Sequence, residues 1–86
     1  MEIMEQKHAI LVTEFGRYVA EHPDFAAQIP AGAQIILQVK GDETYNEWSR
    51  KLAERQREPG QRAFYVTVKG LRPAKSRLLE PEIAAA

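Results

Sequence analysis

The 86-residue sequence contains no cysteine. That excludes disulfide bridges and thiolate metal centres, and it makes a reducing cytoplasm the expected compartment. Histidine is almost as scarce, with only His8 and His22. On one helix their fourteen-residue separation amounts to about 21 Å of rise, too far for one metal to bridge. Ser49 and Ser76 are the only serines, and neither lies in a nucleophile elbow. There is no His-Glu-x-x-His pattern, no glycine-rich phosphate loop and no internal repeat. Asp42, Glu43 and Glu47 cluster at one point, where helix capping alone accounts for carboxylates. No catalytic residue, metal or cofactor is therefore expected. No apolar run approaches the roughly 18 residues of a membrane helix. The opening Met-Glu-Ile-Met-Glu-Gln-Lys also lacks the basic start and apolar core of a signal peptide.

The composition is that of an ordinary globular domain, 44% apolar and 28% charged, and the net charge is zero. That zero conceals a split. Residues 1–49 hold eight acids and three bases, whereas residues 50–86 hold four acids and nine bases. Such asymmetry suits a nucleic-acid surface or attraction between copies, unless the fold interleaves the halves and cancels the field.

Hydrophobic spacing supplies the elements. Met4, His8, Leu11, Phe15, Tyr18, Val19 and His22 recur at three-and-four spacing, which predicts a helix over about Glu5–Glu21 ending before Pro23. Gly16 within it suggests the close approach of another backbone. Asp24 to Gln28 suits one further turn, and Pro30-Ala31-Gly32 marks a break. The runs Ile35–Val39 and Phe64–Val68 read as strands. Ile35, Leu37 and Val39 share one face, as do Phe64, Val66 and Val68. The opposite face holds Gln34, Ile36, Gln38, Ala63, Tyr65 and Thr67.

Between the strands, Glu43–Glu58 reads as a helix with a face of Tyr45, Trp48, Ser49, Leu52, Ala53 and Gln56. Its cap is either Asp42 or a Thr44–Glu47 capping box. Glu58-Pro59-Gly60-Gln61 suits a type II turn.

Strand, helix and strand in about 35 residues is the spacing of a parallel βαβ crossover. The alternation is also compatible with an antiparallel pair, which would make the class α+β. The expected architecture is a small two-layer α/β domain over residues 1–70, with helices on one face. An extended C-terminal tail follows over 71–86. The expected core is Leu11, Phe15, Val19, Phe25, Ile35, Leu37, Val39, Trp48, Leu52, Phe64, Val66 and Val68.

Leu78, Leu79 and Ile83 are too apolar for a solvated tail and are expected to pack on the domain or a partner. With Ile36, Tyr65 and Thr67 they form the candidate interface. Lys40, Lys69, Arg72, Lys75 and Arg77 are the candidate anion or nucleic-acid contacts, placed at the carboxyl ends of the strands.

Glu14-Phe15 with Tyr18, His22-Pro23 with Phe25, Ile29-Pro30, Asn46-Glu47-Trp48 and Leu71-Arg72-Pro73 with Lys75-Ser76-Arg77 resemble a family of short bacterial and archaeal proteins. That family is known only as a domain of unknown function. The resemblance spans most of the chain and implies no activity, substrate or cofactor, but it implies that the basic tail belongs to the domain. The expected function is a non-catalytic protein-interaction or regulatory module. Self-association into a homodimer is expected, with a protein partner possible and no membrane role. The alternative is anion or nucleic-acid binding through the basic segment.

Overall fold

The computed structural model describes residues 2–86, in the order α1 (Ile3–Glu21), α2 (Pro23–Ala26), β1 (Gln34–Val39), α3 (Glu43–Gln56) and β2 (Ala63–Val68). The two strands pair in parallel, with Gln34 opposite Ala63 and Val39 opposite Val68. From Lys69 to Ala86 there is neither helix nor strand.

Local chemistry sets each boundary. α1 ends where Pro23 opens α2. The Asp42 side chain accepts the Tyr45 amide at 3.1 Å, so Asp42 caps α3. Two glycine turns flank that helix. Gly41 at φ 84 carries the chain from β1 into α3 under an Asp42 N–H bond to the Val39 carbonyl at 3.0 Å. Gly60 at φ 78 does the same after α3, beneath the Gln61 N–H bond to Glu58 at 3.0 Å. Both conformations are type II, which needs the left-handed region at its third residue. Gly16 departs from its expectation. No atom lies within 4 Å of the position its Cβ would take, so no backbone approaches it.

The core gathers around Leu11, Leu37 and Tyr45. Met4, Phe15, Ile35, Val39, Trp48, Val66 and Val68 pack partly buried against it. α3 lies along β1. In a parallel strand the amides alternate sides: Gln34 N donates to the Arg62 carbonyl just before β2 at 2.8 Å, and Lys40 N donates to the Val68 carbonyl at 2.9 Å. Ile35, Leu37 and Val39 therefore point their backbone groups outward. Asn46 of α3 meets that outer edge: its Oδ1 accepts from Val39 N at 2.7 Å and its Nδ2 donates to Val39 O at 2.9 Å. Gln34 adds a bond from its Nε2 to the Ala53 carbonyl at 2.8 Å.

This placement corrects one expectation. Ile36, assigned to an accessible interface, is only 2% exposed within the single chain. A helix beside the edge of β1 shields side chains on both faces of that strand, whereas the expectation placed helices on one face only. The other expected interface residues of the sheet, Tyr65 and Thr67, are exposed.

Candidate interaction surface

α1 and α3 meet through a cluster of polar-tipped aromatics. Tyr45 is wholly buried, and its hydroxyl lies 2.8 Å from His8 Nδ1. The His8 ring stands edge-on to Trp48 with centroids 5.3 Å apart. Burial holds the His8 imidazole below its ordinary value and pushes the Tyr45 phenol up. Lys7 pairs with Asp42. That bond, followed by the Tyr45 amide, keeps the Asp42 carboxyl below the usual carboxylate range. Of the acidic corner, Asp42 thus caps α3 and ties it to α1, while Glu47 pairs with Lys51 inside α3 at 3.3 Å. Among the described residues no three His, Asp or Glu side chains converge as a metal site. No helix there is long and apolar enough to cross a membrane.

The second half of α1 contributes to a different feature. Tyr18 stacks on His22 at 3.8 Å, and Phe15 and Tyr18 each meet Phe25 of α2 edge-on. His22 is pinned by its Nδ1, 2.8 Å from the Tyr18 carbonyl. These rings form one wall of an open groove of about 1180 Å³. Its floor includes Leu37, Val66 and Val68, and its far wall is the segment from Gly70 to Arg77. The groove exceeds the ~300–1,000 Å³ of a usual small-molecule pocket.

Of the expected anion contacts, Arg72, Lys75 and Arg77 line this groove, while Lys40 and Lys69 do not. Lys40 and Lys69 instead follow the paired Val39 and Val68, so they leave the sheet side by side. Among the described residues, none of the five bases makes an ion pair. Across the groove stand Glu14 and Glu21, with Glu14 already bonded to Arg17 at 2.7 Å. Two acids and Arg17 of α1 thus stand across the groove from three bases of the tail.

Beyond the groove the chain runs free. Leu78, Leu79 and Ile83 are 75%, 91% and 101% exposed, so a single chain does not bury them. Two participants lay outside the sequence reading: the Asn46 clamp on β1, and the groove itself. An asparagine one turn into a helix that follows a strand was the available signal for the clamp. The groove joins segments about fifty residues apart and had none.

No curated protein and no solved structure matches the chain. A family model does match, over residues 3–81, taking in every element and the tail as far as Pro81. The chain belongs to DUF5647, a family of unknown function.

Proposed function

We propose that the protein is a non-catalytic interaction module that works as a homodimer, in the reducing cytoplasm that its lack of cysteine suits. The observation that carries this reading is surface left unburied. A compact monomer of 9.8 kDa exposes about 5,200 Å², whereas this chain exposes 7421 Å². The excess, roughly 2,200 Å², is more than the roughly 800 Å² that each partner of a standard interface buries. Shape agrees, since the radius of gyration is 17.1 Å and a compact chain of this length has about 12 Å.

The sheet supports the same reading. β2 has a neighbour on one side only. By the alternation of the parallel ladder, the backbone groups of Ala63, Tyr65 and Thr67 face away from β1, towards no strand. A two-stranded sheet is marginal alone.

The unpaired bases favour a second reading, anion or nucleic-acid binding through Lys40, Lys69, Arg72, Lys75 and Arg77. Against it, Lys40 and Lys69 do not line the groove with the other three. A segment that is apolar as well as acidic suits the groove better than a phosphate backbone, because apolar side chains line it beside the bases. Light-scattering mass of the full chain at low and high salt tests the first reading. Twice the chain mass in both salts is expected, and a monomer at the highest soluble concentration refutes it. Salt-sensitive retardation of RNA or DNA by a monomer would support the second.

A further inference from the structure

Resting on that dimeric reading, the geometry points to its mode of assembly: we infer that residues 78–83 of each copy seat in the groove between α1 and β2 of the other. Three observations converge. The first is the groove's apolar lining by Phe15, Tyr18, Phe25, Val66 and Val68, none of them fully buried in the single chain. The second is the position of the only large apolar side chains beyond the groove. Leu78, Leu79 and Ile83 project from the chain directly after the stretch that forms the groove's outer wall. The chain lines its own groove up to Arg77 and no further, so these exposed side chains do not line it.

Charge supplies the third. Glu80 and Glu82 give the segment a charge of −2. With Glu14 engaged by Arg17, the groove sets Glu21 against Arg72, Lys75 and Arg77, a net positive rim. Attraction of that sign aligns the incoming segment and rejects a second basic stretch. An exchange of identical segments is reciprocal about a two-fold axis, so it closes at two copies. Up to Pro81, the segment lies within the stretch matched by the family, so Leu78 and Leu79 belong to the domain's own pattern.

A photocrosslinking residue at Leu79 of the full chain, mixed with isotopically heavy copies, tests the placement. Crosslinks between light and heavy chains that land on α1 between Ile10 and Tyr18, or on Phe25, are expected. Leu79→Asp should then weaken dimerisation at least tenfold with unchanged circular dichroism, because the side chain is exposed in the single chain and folding does not need it. Thr44→Asp, at an exposed site on α3, should leave the mass unchanged. Crosslinks within one chain, or to sites outside the groove in a chain that is still dimeric, overturn the exchange and leave the dimeric reading standing. So does a dimer broken by Tyr65→Asp and indifferent to Leu79→Asp, which would assign the contact to β2 pairing. A monomeric parent overturns both.

Discussion

Replacing Asn46 by alanine should loosen the join between α3 and the sheet. Asn46 stands in for a neighbouring strand, taking the Val39 N–H at 2.7 Å and giving to the Val39 carbonyl at 2.9 Å. Each bond contributes about 0.5–1.5 kcal/mol net. Alanine is the better helix former by roughly 0.6 kcal/mol, so the two effects oppose. The bonds win, because two are lost for one propensity gained, and the expected destabilisation is about 1–2 kcal/mol. For a domain of this size that lowers the melting midpoint by roughly 5–15 °C. Urea denaturation at matched protein concentration measures the energy, and amide exchange at Val39 locates it. The Val39 amide should be protected in the parent and fast in the variant. Thr44→Ala, an exposed site in the same helix, serves as the near-neutral control. An Asn46→Ala chain as stable as the parent, or a Val39 amide that exchanges freely in both, refutes the reasoning.

Gly16→Ala should stabilise the chain by about 1 kcal/mol in the same denaturation assay. The position lies inside α1 and an added methyl meets nothing, so a loss of stability would reveal a neighbour the fold does not show. Tyr45→Phe should cost about 1 kcal/mol, since it deletes a buried hydroxyl bonded to His8. An unchanged midpoint would mean the pair is broken in solution. The lowered His8 value fixes a sign for pH: the unfolded chain binds the proton first, so the contribution is whole above roughly pH 6.5 and lost as pH falls through the folded value. Melting midpoints at about pH 7.5 and 5.5 should differ in the parent and converge in His8→Gln, and a parent flat across that window refutes it. If folding is coupled to dimerisation, a tenfold rise in concentration should lift the midpoint by about 3–6 °C, and an invariant midpoint argues against the coupling.

What the sequence made legible was local. Alternation marked both strands, three-and-four spacing marked α1 and α3, and the proline and glycine signals at Pro23, Gly32 and Gly60 fell where the chain turns. Asp42 was one of two capping candidates, and the Tyr45 amide decides for it. The errors arose where a residue's surroundings come from elsewhere in the chain. Ile36 looked accessible because alternation assigns a face without saying what covers it, and α3 beside the strand edge covers both sides of β1. Gly16 looked like a packing glycine, yet no element approaches it. Tyr18 and His22 continued a core stripe by spacing, but they pass beyond the end of α3 and stack on each other at the groove. The candidate bases split in the same way. Lys40 and Lys69 follow from parallel pairing, whereas Arg72, Lys75 and Arg77 depend on the route the tail takes across β2.

That route decides which side of the molecule is unfinished. The outer edge of β1 is occupied by α3 and clamped at Val39, so no further strand has access there. The side of β2 holds the unpaired strand edge, the groove beside Val66 and Val68, and the basic wall leading to Leu78 and Leu79. Incompleteness at both edges would invite strand after strand and an open chain of copies. Incompleteness gathered on one side is satisfied by a single two-fold contact in which the same patch serves both copies. The clamp on β1 and the opening at β2 are therefore complementary features of one design. The first obstructs one edge of the sheet, and the second is the place where the proposed dimer would form.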